Sequence, residues 1–282
     1  MNHNSRSGYK TWFYRFIVRL ANALIVWAAV LLGAYLSSGN INLASLLSGF
    51  SISLLAIGGY LLNDYFDVAV DKINQPNRLI PSGRLTRKHA LIYSIICFFI
   101  ANGIFIILNL NLLYISLGIS VLLFIYTPFL KPRPLIGNIV VSLLLSTTFP
   151  IGALAISGKI KEIIFPVIFA FLLNLPREIL KDGEDIAGDL RVGLRTFPIV
   201  FGLKKTRCLV ITLLSLLSLS LIFASFYYGL LFTLIVCVGM ILPFIIISIK
   251  SKISPGWFRS SQLILKISMI PGLIALLLST IK

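Results

Sequence analysis

The chain has 282 residues, 58% of them hydrophobic, and a formal net charge of +16. Its mean hydropathy of +0.98 excludes a soluble globular protein, because an interior of this size cannot hide so much apolar material from water. Three cysteines without CxxC spacing and two distant histidines give no support for a disulfide framework or a zinc site.

Apolar runs long enough to cross the hydrocarbon core of a bilayer recur along the chain. Nine are predicted, near residues 16–37, 43–63, 88–108, 111–129, 136–157, 161–180, 206–226, 229–249 and 262–281. We therefore predict an all-α, polytopic membrane protein, with a single transmembrane domain over residues 1–282. The first run is long and lacks a small-residue cleavage site, so we expect it to be retained as a helix.

The basic residues fall on one side of this predicted topology. Threading nine spans with the N-terminus inside leaves only three of the 25 Lys and Arg residues outside, namely Lys159, Lys161 and Lys282. This distribution is the positive-inside bias of helical membrane proteins. Topology therefore explains the excess charge, and a nucleic-acid partner is not expected.

Two short segments hold eight of the nine acidic residues, and each follows a span that ends on the predicted cytoplasmic side. In the first segment, Asn63, Asp67 and Asp71 are four residues apart and are expected on one helix face. Asp64 points about a quarter-turn away.

The second acidic segment follows the sixth span. Glu178, Asp182, Asp185 and Asp189 are spaced by four, three and four residues, which keeps them on one stripe of a helix, whereas Glu184 falls off it. Like charges at these spacings repel, so two acidic stripes beside a membrane are costly unless cations compensate them. Carboxylates with a carboxamide suit Mg²⁺.

Basic residues accompany both acidic segments. Arg78 follows the first, and Lys131 lies between the two in a short Pro-rich turn. A metal that bridges acids to phosphate, with Lys and Arg on the remaining oxygens, is what a diphosphate needs. The alternative is a set of salt bridges on a positively charged loop.

Turn residues at 74–77 and 80–83 predict a shaped cap, and Pro176 predicts a helix break just before Arg177.

These segments resemble the Asp-rich motifs of the UbiA superfamily of intramembrane prenyltransferases. They read Asn63-Asp64-x-x-Asp67-x-x-x-Asp71 and Asp185-x-x-x-Asp189. Residues 77–83 are similar to the N-R-P-I-P-S-G string of the family, with Leu79 in place of its first proline. Two shorter matches are Tyr126-x4-Lys131, in the third cytoplasmic loop, and Arg19-x-x-Asn22, in the first helix.

The resemblance implies an enzyme, a Mg-dependent polyprenyl transferase. It implies nine helices around a central chamber, two cytoplasmic Asp-rich cap loops, two Mg²⁺ ions, a polyprenyl diphosphate donor and a lipophilic acceptor in membrane lipid. Within the superfamily, residues 177–189 are most similar to the enzymes of ether-lipid synthesis that prenylate geranylgeranylglycerol phosphate. Chlorophyll synthases and homogentisate prenyltransferases share parts of this string, so an aromatic acceptor stays open.

The resemblance also implies roles for single residues. The expected catalytic carboxylates are Asp67, Asp71, Asp185 and Asp189. The expected metal ligands are Asn63, Asp67, Asp71, Asp182, Asp185 and Asp189. The expected substrate-binding residues are Arg78 and Lys131, on the outer oxygens of the donor diphosphate, together with Tyr126, Arg19 and Asn22.

A phosphorylated acceptor needs a cation beyond those that serve the donor. Arg177 and Lys181 flank the second acidic stripe and are candidates for that role; alternatively, they pair with Glu178 and Glu184. A cation or lipid-phosphate transporter is the rival class of function. Transporters keep their acids near the bilayer midplane, and here no Asp or Glu is predicted deep within a span.

Overall fold

The computed structural model describes residues 4–250 and 253–280, with side chains from residue 19 onward. Within these ranges the regular elements are helical, in the order α1 (Asn4–Ser38), α2 (Leu43–Phe66), α3 (Val68–Asn74), α4 (Arg87–Leu108), α5 (Leu110–Ile125), α6 (Ile136–Ser146), α7 (Thr148–Ala155), α8 (Ile164–Arg191), α9 (Phe197–Tyr228), α10 (Leu230–Val236), α11 (Leu242–Ile249) and α12 (Pro255–Leu278). Short π-helical turns occupy Tyr126–Leu130 and Cys237–Ile241, and a 3₁₀ turn occupies Ile160–Ile163.

The predicted number of membrane spans is confirmed in the described part of the chain. Nine helices there are long and apolar enough to cross a bilayer: Arg19–Ser38, Leu43–Phe66, Arg87–Leu108, Leu110–Leu130, Ile136–Ala155, Ile160–Arg191, Phe197–Tyr228, Leu230–Ile249 and Pro255–Leu278. Their outer faces carry large exposed apolar side chains, such as Phe99, Ile107 and Phe226. Lipid tails can cover such surfaces, and water cannot do so favourably.

The helix break predicted at Pro176 is wrong. Pro176 lies inside α8, which continues without interruption to Arg191. Proline removes one backbone hydrogen bond, and the remaining turns of a 28-residue helix tolerate that loss. The second acidic segment therefore lies in the last turns of a transmembrane helix, about four in number, and is not a cap loop as expected.

Small residues let the helices approach closely at the centre of the bundle. A Cβ atom added to Gly152 of α7 would lie 1.9 Å from the carbonyl oxygen of Val30 on α1. One added to Gly33 of α1 would lie 2.3 Å from the carbonyl oxygen of Phe149. Backbone packing of this kind is typical of membrane helices, where small side chains allow close van der Waals contact between helices.

The predicted central chamber is present as an apolar cavity inside the bundle. Helices α1, α6, α7, α8, α9, α10 and α12 contribute to its walls, with Ile25, Phe149, Leu173 and Met269 among the lining residues. Both acidic segments lie at one end of the bundle, where α3 contacts the last turns of α8. Lys159 and Lys161 lie at the opposite end, between α7 and α8, whereas Lys282 is outside the described residues.

Candidate active site

The first acidic segment keeps its predicted alignment across the junction between α2 and α3. Asp67 occupies that junction, and its backbone N–H donates to the carbonyl oxygen of Asn63 over 2.8 Å. The N–H of Asp71 donates in turn to the carbonyl oxygen of Asp67, also over 2.8 Å. This i, i+4 pattern continues one helical face through the junction, so the three side chains remain neighbours.

The π-helical turn Tyr126–Leu130 supplies partners for this face. Thr127 Oγ1 donates a hydrogen bond to Asn63 Oδ1, and Lys131 Nζ donates to Asp67 Oδ2 over 2.5 Å. The turn closes with the N–H of Lys131 bonded to the carbonyl oxygen of Tyr126, five residues back. Such π turns are frequent at functional sites because the extra residue re-aims the side chains that follow.

Arg78 is held against the end of the first segment. Its Nη1 atom lies 2.7 Å from Asp71 Oδ2 and 3.6 Å from Asp64 Oδ1, and its Nε donates to Gln75 Oε1 over 3.0 Å. Burial raises the pKa of Asp71 to about 6, although the Arg78 guanidinium acts in the opposite direction. The Asp71 carboxylate is thus largely desolvated and depends on a cation for its charge.

Arg19 and Asn22 of the first helix, which were expected to bind substrate, contact residues of α2. Arg19 makes a bidentate ion pair with Asp64, with Nη1–Oδ2 and Nη2–Oδ1 distances of 2.6 and 2.7 Å. Asp64 lies off the helix face that carries Asn63, Asp67 and Asp71, so this ion pair joins α1 to α2 beside the site. Asn22 shares a side-chain hydrogen bond with Tyr60 of α2.

The second acidic segment draws its partners from α6 and from its own helix. Asn138 Nδ2 donates to Asp182 Oδ2 over 2.8 Å. Glu178 accepts from Arg177 over 2.7 Å and from Lys181 over 3.4 Å. The ion-pair alternative for these two basic residues therefore holds in this structure at Glu178.

Glu184 makes different contacts. It accepts from Gln262 over 3.2 Å and lies 3.9 Å from Arg259, so the alternative that Arg177 or Lys181 pairs with Glu184 is wrong. Gln262 and Arg259 are both on α12, whereas Glu184 falls off the stripe that faces the first segment. The off-stripe position of Glu184 thus directs it to a neighbouring helix.

The two acidic segments meet across α3 and α8. Asn74 Nδ2 donates to the carbonyl oxygen of Asp185 over 2.9 Å. Gly188 makes room for this contact, because a Cβ atom there would lie 2.4 Å from the same nitrogen. Asp189 is within electrostatic reach of Asp67, with Lys131 close to both. The site therefore joins carboxylates from both halves of the chain around basic side chains.

The donor set fits a hard cation, although the side chains are arranged around basic partners. Within the described residues, no three His, Cys, Asp or Glu side chains converge closely enough to hold a metal ion. The expected ligands offer only carboxylate and carboxamide oxygens, the chemistry that Mg²⁺ prefers. Asp67 and Asp71 each hold an ion pair, with Lys131 and Arg78, at the positions where a cation is expected.

Three polar residues of the site were not among the expected ones. Thr127 donates a hydrogen bond to Asn63, and Asn138 donates one to Asp182. Lys266 of α12 is half-buried and lies within electrostatic reach of Arg177. Lys266 had a sequence signal, since a lone basic residue inside an apolar span is a functional hint.

Comparison with known proteins places the chain in a family. Residues 22–257 match the model described as the UbiA prenyltransferase family. A digeranylgeranylglyceryl phosphate synthase from Methanospirillum hungatei is 39% identical over 279 residues, covering 95% of this chain and 98% of that protein.

Solved structures share the fold. One, described as giving "structural and mechanistic insights into the biosynthesis of digeranylgeranylglyceryl phosphate synthase in membranes", matches with a TM-score of 0.73 and 25% identity, covering 98% of this chain and 99% of that one. A UbiA homologue from Archaeoglobus fulgidus, bound to DMAPP and Mg²⁺, matches with a TM-score of 0.67 and 16% identity, over 91% and 96% of the two chains.

Proposed function

The chain belongs to the UbiA prenyltransferase family, and on that premise we propose that it transfers a geranylgeranyl group from its diphosphate to geranylgeranylglycerol phosphate in ether-lipid synthesis. The observation that carries this choice of acceptor is the 39% identity, over nearly the whole of both chains, to a digeranylgeranylglyceryl phosphate synthase. The new bond joins the acceptor hydroxyl oxygen to C1 of the donor. Diphosphate and the hydroxyl proton leave.

Two Mg²⁺ ions would be held by carboxylate and carboxamide oxygens of both segments, namely those of Asn63, Asp67, Asp71, Asp182, Asp185 and Asp189. Mg²⁺ held there would supply positive charge, which would stabilise the negative charge that develops on the diphosphate as the C–O bond breaks. The Mg²⁺ in the Archaeoglobus fulgidus homologue supports this reading. Asn74 positions the backbone of Asp185 against α3 for this purpose.

The basic residues of the site bind carboxylates before the donor binds and phosphate oxygens afterwards. Without substrate, Lys131 neutralises Asp67 and Arg78 neutralises Asp71. On donor binding, both cations turn toward the outer phosphate oxygens, where charge-assisted hydrogen bonds stabilise the departing diphosphate. The carboxylates are then free for the metal.

The apolar cavity excludes water from the reacting carbon. Its walls carry aromatic rings, including those of Phe149, Phe169 and Phe232, and almost no polar surface. The buried Tyr126 ring lies close to the carboxylates of both segments. Aromatic faces stabilise an allylic cation as the C–O bond lengthens, and the absence of water protects it from hydrolysis.

The acidic end of the bundle is proposed to face the cytoplasm. Lys159 and Lys161 are at the other end, whereas Arg78, Lys131, Arg177 and most other basic residues are at the acidic end. The positive-inside bias orients this end inward. A water-soluble diphosphate head group can then reach the site from the cytoplasmic surface.

The acceptor is tested by product mass. Purified protein in vesicles receives geranylgeranyl diphosphate and Mg²⁺ with geranylgeranylglycerol phosphate or with homogentisate as the acceptor. We expect a product with the mass of digeranylgeranylglycerol phosphate and none with homogentisate. Transfer to homogentisate alone would contradict the ether-lipid assignment, and gradient-driven uptake without product would identify a transporter.

A further inference from the structure

Three helices that line the apolar cavity each carry a polar residue about one turn closer to the acidic end. The pairs of polar and lining residues are Asn22 with Ile25 on α1, Arg177 with Leu173 on α8, and Lys266 with Met269 on α12. Residues three or four apart share one face of a helix, so the three polar residues lie above the cavity wall. The cavity therefore has an apolar body and a polar rim, which contains two cations.

The positive charge at this rim is only partly balanced by acids, because Glu178 serves Arg177 and no acid serves Lys266. Glu178 already pairs with both Arg177 and Lys181. The Nε atom of Arg177 is buried and has no hydrogen-bond partner. Where side chains are described, no hydrogen bond or ion pair reaches Lys266, whose only electrostatic neighbour is another cation, Arg177. Two like charges at the mouth of an apolar cavity are costly unless an anion joins them.

We propose that Lys266 and Arg177 bind the phosphate of the lipid acceptor, with the acceptor's apolar chain in the cavity below them. This inference rests on the proposed function. A phosphate offers oxygens to the Lys266 ammonium and to the free Nε–H of Arg177, and it neutralises both charges. The isoprenoid chain of the same molecule matches the apolar walls.

The proposed acceptor site is separate from that of the donor. Lys131 and Arg78 contact the carboxylates that face the donor, and Lys181 is within electrostatic reach of Asp185 and Arg78. Lys181 is also within electrostatic reach of Arg177, so it lies between the two sites; the proposal gives the acceptor phosphate to Arg177 and Lys266, and the expected role of Lys181 stays a prediction. Glu178, shared by Arg177 and Lys181, connects the two sites.

The test compares K266M with a matched control. Lys205 on α9 is exposed, near the same end of the bundle, and outside the site, so K205M removes an equal charge elsewhere. We expect K266M to raise KM for geranylgeranylglycerol phosphate by about tenfold or more, the effect of losing one charge-assisted hydrogen bond. KM for geranylgeranyl diphosphate should stay within about twofold, K266R should recover most of the acceptor affinity, and K205M should match the wild type.

A neutral acceptor separates phosphate recognition from general damage. Geranylgeranylglycerol lacks the phosphate, so K266M should leave its KM unchanged and reduce the preference of the enzyme for the phosphorylated acceptor. An unchanged KM for the phosphorylated acceptor in K266M, or an equal rise for the neutral one, would overturn the proposed site.

The proposal can also be tested if K266M is inactive. An inactive K266M alongside an active K266R with wild-type acceptor KM supports a requirement for the charge; loss of activity in both would overturn it. Failure of the proposed function shows differently, as wild-type enzyme without product from either glycerol lipid.

Discussion

Replacing Lys131 by methionine should affect donor binding and metal binding in opposite directions. Lys131 Nζ lies 2.5 Å from Asp67 Oδ2, and the two side chains are 23% and 11% exposed. If Lys131 exchanges Asp67 for a phosphate oxygen, K131M loses one charge-assisted hydrogen bond to the donor, about 1.5–3 kcal/mol. Partial exposure favours the lower part of that range, so we expect kcat/KM for the donor to fall about tenfold to thirtyfold.

Metal binding should become tighter in the same variant. A cation that binds Asp67 must displace Lys131, and that pair is worth roughly 1 kcal/mol at partial exposure. Removing the competitor should therefore tighten Mn²⁺ binding to the substrate-free protein about fivefold, as measured by electron paramagnetic resonance. K72M is the control, since Lys72 is an exposed lysine on α3. Weaker binding of both donor and Mn²⁺ in K131M would refute the exchange of partners.

Four further variants test the metal assignment, the contact at Gly188 and the topology. D67A or D185A should abolish turnover and leave a folded, membrane-inserted protein, because each removes a like charge from an acidic stripe; near-normal activity at limiting Mg²⁺ would contradict the metal assignment. G188A should displace Asn74 and lower kcat at least about tenfold, since the added Cβ lies 2.4 Å from Asn74 Nδ2; wild-type kcat would show that this contact does not position Asp185. A cysteine at position 74 should be labelled only from the cytoplasmic side, and labelling only from outside would reverse the topology.

The spans were predictable because apolar length is a direct physical requirement of the bilayer. The ends of the helices were harder to predict, because an apolar run ends at the membrane surface, whereas a helix can continue beyond it. Helix α8 passes Pro176 and continues through Asp182 and Asp189 to Arg191. Its acidic stripe is stabilised there by partners such as Asn138, which is distant in sequence.

The acidic residues of the site were predictable because eight of nine acids lie in two segments. Their partners were harder to predict. Pairing depends on which helices become neighbours, so the sequence left open whether Arg177 contacts a ligand, Glu178 or Glu184. Lys266 was missed because one charged residue barely changes the mean hydropathy of an apolar span, although the fold brings it within electrostatic reach of Arg177.

The central claim is that both acidic segments serve one metal-dependent diphosphate site. The most direct measurement is turnover of geranylgeranyl diphosphate with geranylgeranylglycerol phosphate by the wild-type protein in vesicles, with Mg²⁺ present or removed by a chelator. We expect product only with Mg²⁺, and recovery when the ion is restored. Equal product under chelation would contradict the claim, because Lys131 and Arg78 would then balance the site without a metal, in the ion pairs that they form in this structure.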